Sequence, residues 1–188
     1  MWGVRCLVAI TGSSGAVYGI RLLKALKGEK MLIASRTGLR IIEHELSMAP
    51  DDVSVLADRT FDDEDLFAPP SSGTYRYDAM IVIPCSESTL AKIANGIADT
   101  LISRAASVCL KEGRRMVLVP RETPVSPVML ENELKLARLG VTILPANPGF
   151  YSGPRSIDEL VDFVVGKVLD QLHQEHDLCR PWGDQDGS

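Results

Sequence analysis

The sequence has little that would build a disulfide framework, a metal site or a nucleic-acid surface. Its four cysteines are widely scattered and form no Cys-x-x-Cys pair, which is the usual mark of a zinc or redox site. His173 and His176 lie three residues apart in a helix-like run, but no neighbouring residue completes a metal site. The net charge of −5 is unlike that of nucleic-acid-binding domains. We therefore expect no metal, no nucleic-acid partner and two solvated surface histidines.

Long apolar segments are also absent. No apolar stretch reaches the length of a membrane span, and the first residues lack the charged start and cleavage site of a signal peptide. With thiols that fit a reducing compartment, these absences predict a cytoplasmic protein without membrane contact. The length and a hydrophobic content of 45% suffice for one core. We assign residues 1–178 to a single domain and residues 179–188 to a partly frayed tail.

Short apolar runs alternate with amphipathic runs along the chain. The apolar runs are continuous and often β-branched, the pattern of strands that are covered on both faces. The predicted strands span residues 4–10, 31–35, 58–61, 79–84, 116–120 and 141–145. The predicted helices span residues 14–27, 37–46, 86–95, 99–112, 127–139 and 157–176. This alternation predicts a three-layer α/β/α fold around a mostly parallel sheet.

Loops rich in hydroxyl groups, small residues and a few charges follow five of the predicted strands. They span residues 12–15, 35–36, 85–89, 121–124 and 146–151. The carboxyl ends of parallel strands meet at one edge of a sheet, where ligands bind. In the first loop, Ser13 and Ser14 place hydroxyl and N–H groups at a helix start, where anions are stabilised. Together the loops predict an anion-binding pocket with an apolar side.

The glycine and serine loops also have a purely structural interpretation. The spacing of Gly12, Gly15 and Gly19 fits neither the dinucleotide fingerprint nor a Walker loop, and the turn would also serve close packing of strand against helix. The loop at residues 86–89 would cap a helix as readily as it would contact a ligand, and one residue can do both. These alternatives stay open from the residues alone.

The charged candidate residues also have both a functional and a purely structural interpretation. Arg121 and Glu122 stand at a strand tip before a proline and a capped helix, a rigid placement that favours function over an ordinary solvated pair. Arg104 and Lys111 lie seven residues apart on one predicted helix, so their side chains point within about 20° of each other. They either border the polar loops or form a solvated face.

Six blocks of sequence carry a resemblance to a known family. They are ITGSSGAVYGIRLL, DLFAPPSSG, IPCSESTLAKIANG, LISRAASVCLKEGRRMVLVPRETPVS, MLENELKLARLGVTILPANPGFY and RPWG, in this order. Together they resemble the UbiX-type flavin prenyltransferases, which were long described as aromatic-acid decarboxylases, over residues 4–182. The VPRETP and LPANPGFY blocks are the most specific. The resemblance implies the Rossmann-like sheet of the wider group of homo-oligomeric FMN proteins.

The resemblance also implies an activity and an assembly. A dimethylallyl group would pass from dimethylallyl monophosphate to N5 and C6 of reduced FMN, without a metal. The product, prenylated FMN, would serve UbiD-type decarboxylases. The protein would form a homododecamer with its sites at subunit interfaces.

Site residues follow from the resemblance, position by position. FMN would contact Gly12, Ser13, Ser14, Ser35, Ser86, Glu87, Ser88, Thr89, Arg104 and Arg121. The dimethylallyl phosphate would contact Lys111, Arg121, Tyr151, Lys167 and Phe67. The catalytic residues would be Glu122 for proton transfer, Ser14 near the flavin, and Lys111 and Tyr151 at the departing phosphate. Phe67 and Trp182 would offer π-faces to the allyl cation.

Three positions depart from the pattern of the family. Lys167 stands where relatives often carry Arg, Phe67 where some carry Trp, and Ser13 where Ala is more usual. Because lysine lacks the bidentate fork of arginine, we expect a lower phosphate affinity at Lys167. Lys167 also lies mid-helix, so we hypothesise that it reaches the site of a neighbouring subunit.

Two other functions are compatible with an FMN site. One is an FMN-dependent decarboxylase of the wider group, which acts on peptidyl-cysteine or phosphopantothenoylcysteine. The other is a non-catalytic FMN-binding subunit. The PRETP and GFY motifs argue against the first, and the intact set of Glu122, Lys111, Arg121 and Tyr151 argues against the second.

Overall fold

Six parallel strands form one sheet in the computed structural model of the chain, which describes residues 4–179. The strands are β1 (Arg5–Ile10), β2 (Glu29–Ala34), β3 (Arg59–Asp62), β4 (Ala79–Cys85), β5 (Arg115–Pro120) and β6 (Thr142–Ile143). Their order is β3-β2-β1-β4-β5-β6, and all neighbours are parallel. The predicted parallel sheet is confirmed. β6 is shorter than predicted, although Leu144 and Ala146 beyond it still donate backbone hydrogen bonds to β5.

Seven α-helices lie within the described residues. They are α1 (Ala16–Ala25), α2 (Arg36–Leu46), α3 (Pro50–Ser54), α4 (Glu87–Ala94), α5 (Leu101–Lys111), α6 (Pro127–Arg138) and α7 (Ile157–Gln171). α6 begins and ends as its sequence predicts, because Ser126 accepts a hydrogen bond from the Met129 amide and Gly140 adopts a φ of 86° after the last turn. α3 and a short 3₁₀ helix at Pro69–Ser71 were not predicted, since neither is long enough to show a helical period.

The side chains of each central strand alternate between two buried clusters, one on each face of the sheet. In β1, Leu7 and Ala9 pack into the cluster that includes α4, α5 and α6. Val8 and Ile10 pack into the cluster that includes α1 and α7. All four side chains are fully buried. β4 throughout, and β1 and β5 after their first residues, are therefore apolar because both faces are covered.

The order of the strands places a crevice above β1 and β4. The chain leaves β1 toward β2 and β3, and then crosses to the other side of β1 to form β4. Ligands bind at such a reversal, outside the carboxyl ends of the strands. Thr11 joins the two loops there: its hydroxyl donates to the Pro84 carbonyl at 2.9 Å and accepts from the Ser86 amide at 2.8 Å.

The end of α7 differs from the prediction. The helix ends at Gln171, because His173 adopts a left-handed φ of 54° and turns the chain. The prediction that His173 and His176 share a helix is therefore wrong. His176 is also not a solvated surface residue, since only 10% of its side chain is exposed. The predicted frayed tail after Cys179, with Trp182, lies outside the described residues.

Neither a metal cluster nor a spanning helix occurs in the part of the chain that the structure describes. No three His, Cys, Asp or Glu side chains between residues 4 and 179 come together in a way that would hold a metal ion. Over the same residues, every helix is too short or too polar to cross a bilayer.

Candidate active site

A cleft of about 820 Å³ opens at the carboxyl ends of β1, β2 and β4. This volume is within the range of pockets that hold small ligands and cofactors. Five of the residues predicted to contact FMN line it, namely Gly12, Ser35, Ser86, Ser88 and Thr89. They come from three separate loops, so the predicted convergence of these loops at one edge of the sheet is found in the fold. Their contact with FMN itself stays a prediction.

Three helices begin at the wall of this cleft. Ser35 caps α2, Ser86 caps α4 and Thr100 caps α5, and each side chain accepts a hydrogen bond from an amide of its own first turn. A helix start carries a partial positive charge and unpaired N–H groups, so it favours an anion. The first-turn amides of α5 already donate to Asp63 and Thr100. The starts of α2 and α4 therefore make the electropositive seat that suits the phosphate of FMN. Ser86 thus both caps α4 and lines the cleft.

The wall of the cleft beside the start of α5 is acidic. It is formed by Asp62, Asp63 and Glu64, which follow β3. Asp63 is 9% exposed, and its carboxylate accepts a hydrogen bond from the Ile102 amide at 2.8 Å. Burial raises the pKa of Asp63, although the hydrogen bonds from Ile102 and Thr100 oppose the rise. Repulsion from this wall would hold a phosphate against the starts of α2 and α4.

Gly12 gives the cleft its floor. A Cβ at this position would lie 2.8 Å from Cγ2 of Thr37 and 3.0 Å from its Cβ. Thr37 is in the first turn of α2 and also lines the cleft. The absent side chain therefore allows β1 and the start of α2 to approach closely.

We expect Gly12→Ala to weaken FMN binding about tenfold or more, because the new methyl group displaces Thr37 and the first turn of α2. FMN titration followed by flavin fluorescence measures the change. Adding Thr37→Ser removes the methyl group that clashes and should restore part of the affinity. Unaltered FMN affinity in Gly12→Ala would contradict this account of the floor.

The loops after β1 and β5 hold each other next to Gly12. The Ser13 hydroxyl donates to the Arg121 carbonyl at 2.8 Å, and Nε of Arg121 donates to the Ser14 carbonyl at 3.2 Å. Ser13 is nearly buried, so its side chain braces the two loops. Glu122 follows directly, and its exposed carboxylate accepts a hydrogen bond from the Thr123 amide at 3.0 Å. Ser14, Arg121 and Glu122 thus lie in one joined segment.

Glu45 is a site residue that the sequence analysis missed. Its carboxylate accepts hydrogen bonds of 3.0 Å from the amides of Gly15 and Ala16 at the start of α1, and it also binds the Ser14 hydroxyl. Burial raises the pKa of Glu45, but these three hydrogen bonds outweigh it and hold the pKa below its ordinary value. The anion at the start of α1 is therefore the protein's own carboxylate, as it is at the start of α5, and α2 and α4 offer the seat for phosphate.

A second group of predicted residues comes together beside α7. The rings of Tyr151 and Phe163 pack edge to face with centroids 5.8 Å apart, and Nζ of Lys167 lies 6.0 Å from the centroid of Phe163. Nζ of Lys167 is also 3.2 Å from Oδ2 of Asp170, and this hydrogen bond raises the pKa of Lys167. A cavity of about 310 Å³, lined by Phe163 and Lys167, lies between β6 and α7. Tyr151 and Lys167 are thus neighbours in one protomer.

Three predicted residues lie apart from these two groups. Arg104 on α5 donates to the Ser71 carbonyl at 3.2 Å. Lys111 ends α5 and pairs with Glu112 at 3.3 Å. Since α5 begins at the cleft, Lys111 is about 15 Å from it along the helix. Phe67 is 98% exposed. One protomer does not bring Lys111 to Arg121, so their predicted joint action requires a second subunit.

The comparison of sequences finds one family and close relatives. The description of the matching family model is Flavoprotein, and it matches residues 2–169. The chain is similar to the flavin prenyltransferase UbiX of Halalkalibacterium halodurans, with 49% identity over 95% of this chain and 93% of the relative.

The comparison of folds finds solved structures of the same kind. The structure of AnUbiX (PadA1) in complex with FMN and dimethylallyl pyrophosphate has a TM-score of 0.95 and 43% identity, covering 98% of this chain and 100% of that chain. The dodecameric FMN-dependent UbiX-like decarboxylase from Escherichia coli O157:H7 has a TM-score of 0.93 and 46% identity, covering 95% of this chain and 99% of that chain.

Proposed function

The chain belongs to the UbiX-type flavin prenyltransferases of the Flavoprotein family, and from that membership we propose how its own residues carry out the reaction. It transfers a dimethylallyl group from dimethylallyl monophosphate to N5 and C6 of reduced FMN and so makes prenylated FMN. The observation that carries the residue assignment is the joined segment of Ser14, Arg121 and Glu122, which follows Gly12 of the cleft.

The cleft residues fit FMN. The starts of α2 and α4 would hold its phosphate, and the close approach at Gly12 leaves room beside β1. Reduced FMN, when bound, supplies the electron-rich N5 and the ring carbon C6. Arg121, whose Nε is fixed on the Ser14 carbonyl, lies between the glycine turn and Glu122. Residues 1–178 would form one domain around this site.

The departing phosphate needs fixed positive charge. Breaking the allylic carbon–oxygen bond leaves the electron pair on phosphate, and cations and a phenol in a dry site stabilise it strongly. Tyr151 and Lys167 lie together beside α7, and Nε of Arg121 is fixed on the Ser14 carbonyl. Lys111 would complete the set from a neighbouring subunit. Phe67, which is exposed on its loop, would also come from a neighbouring subunit and would cover the prenyl group.

A proton must leave when the new ring closes. Glu122 has an exposed carboxylate next to Arg121, so we assign it as the acceptor. Glu45 holds the Ser14 hydroxyl and thereby orients it toward a proton-transfer role near the flavin. The surroundings of Glu122 and Glu45 therefore give the two carboxylates different tasks.

An oligomer is required for this arrangement, and the related E. coli protein is dodecameric. α6 supports the same conclusion, because Leu130 and Leu134 lie one turn apart with 54% and 51% exposure, away from its buried face at Met129 and Leu136. We propose a homododecamer with shared sites. Its place is the cytoplasm, where free thiols such as Cys85 persist, and a UbiD-type decarboxylase would accept the product.

An anaerobic assay tests the function. Protein, reduced FMN and dimethylallyl monophosphate are mixed, and the flavin is analysed by mass spectrometry. We expect a flavin heavier by one dimethylallyl group. A parallel mixture with dimethylallyl pyrophosphate decides which ester is used. An unmodified flavin in both mixtures, with FMN bound, would refute the transferase.

The related E. coli structure is described as a decarboxylase, so a third mixture addresses that function. It contains protein, FMN and an aromatic carboxylic acid, and we expect no release of carbon dioxide. Release of carbon dioxide well above the rate without protein would favour the decarboxylase.

A further inference from the structure

Three polar side chains form a connected row at the end of α7. Nζ of Lys167 lies 3.2 Å from Oδ2 of Asp170, and Nε2 of His176 lies 3.1 Å from Oδ1 of the same carboxylate. Each oxygen of Asp170 thus has its own partner, which fixes the plane of the carboxylate. Neither Asp170 nor His176 has a role in the proposed reaction.

The hydrogen bonds define which nitrogen of His176 carries the proton. The Leu178 amide donates to Nδ1 of His176 at 3.3 Å, so Nδ1 acts as an acceptor. The proton of the neutral ring is then on Nε2, which donates to Asp170. With only 10% of the side chain exposed, the ring is held rather than free to rotate.

His176 packs against α7 at Gly166. A Cβ at Gly166 would lie 2.9 Å from Cε1 of His176 and 2.8 Å from Sγ of Cys179. The segment after α7 therefore packs where the helix has no side chain. The left-handed turn at His173 brings it there.

We propose that His176 and Asp170 are positioning residues that fix the ammonium group of Lys167 for the substrate phosphate. Asp170 holds Nζ on the side of Phe163, whose ring packs against Tyr151. His176 holds Asp170 in turn. Binding then no longer has to order a free lysine side chain, which is otherwise a cost to affinity. The inference rests on the proposed function, which assigns Lys167 to the phosphate.

Two variants of His176 test the hydrogen bond separately from the packing. His176→Leu removes the donor, and His176→Gln keeps an N–H near Asp170. In calorimetric titration of the FMN-loaded full chain with dimethylallyl monophosphate, we expect the Kd to rise about three- to tenfold for His176→Leu. It should stay within about twofold for His176→Gln, and FMN affinity should not change in either variant. An unchanged Kd in folded His176→Leu, or equal loss in both variants, would overturn the inference.

A double-mutant cycle shows whether His176 acts through Lys167. In a Lys167→Met background, His176→Leu should cause no further loss of affinity. Additive losses would mean that His176 acts by another route, and the inference would be wrong.

A measurement without substrate separates this inference from the proposed function. In ¹⁵N NMR of the ligand-free protein, we expect the Nε2–H tautomer of His176 and a shift of Nε2 in Asp170→Asn. The Nδ1–H tautomer, or a ring that does not respond, overturns the positioning pair alone. Failure of the wild type to bind dimethylallyl monophosphate would instead overturn the substrate assignment.

Discussion

Replacing Glu122 with glutamine should slow prenylation about 100- to 10,000-fold, the usual effect of removing a general base, while FMN still binds. Glutamine keeps the size of the side chain and an oxygen that can accept the hydrogen bond from the Thr123 amide. It removes only the basic oxygen that takes up the proton at ring closure. Single-turnover kinetics of flavin prenylation, run anaerobically beside an FMN titration, measures both quantities.

The matched control for this variant is Glu43→Gln, which makes the same change at an exposed position of α2. Its turnover should match that of the wild type. Loss of FMN from Glu122→Gln would show that the residue helps to hold the flavin, and its assignment as a proton acceptor would then be wrong.

The strands, helix caps and loops that were predicted from the sequence are those that local sequence patterns determine. The central strands are buried on both faces beyond their first residues, so each contains a continuous apolar run and its position is easily predicted. The serine caps of α4 and α6 are equally local, since each side chain binds an amide three residues later. The loops that follow parallel strands must lie at one edge, which placed Gly12 beside Ser86.

The features it missed depend on contacts between distant parts of the chain. Glu45 reaches the start of α1 from an exposed helix, and nothing in its own sequence neighbourhood marks it. The end of α7 was placed too late, because Leu172 is still buried and the apolar period continues while the backbone turns at His173. Neither the burial of His176 nor its hydrogen bond to Asp170 follows from the spacing of residues along the sequence.

The division of the site between subunits leads to the prediction with the clearest outcome. Lys111→Met should slow prenylation about 100- to 1,000-fold, as expected when one fixed group that stabilises a developing anion is lost. Methionine preserves the length of the side chain but removes its charge. Lys24→Met, at an exposed position of α1, is the control and should have no effect. Anaerobic single-turnover assays of each variant give the rates.

Lys111 and Glu122 lie on opposite sides of a protomer, because α5 carries Lys111 about 15 Å from the cleft. If both act at one site, they come from different subunits, so a mixed assembly of Lys111→Met and Glu122→Gln chains contains some complete sites. With random mixing of equal amounts, about a quarter of the sites should be intact, since each must draw both of its parts from the right chain. Co-expression with two affinity tags isolates the mixed assemblies, whose activity should far exceed that of either parent. Activity no higher than the parents' would mean that each site is built from a single chain, and Lys111 would then have no part in it.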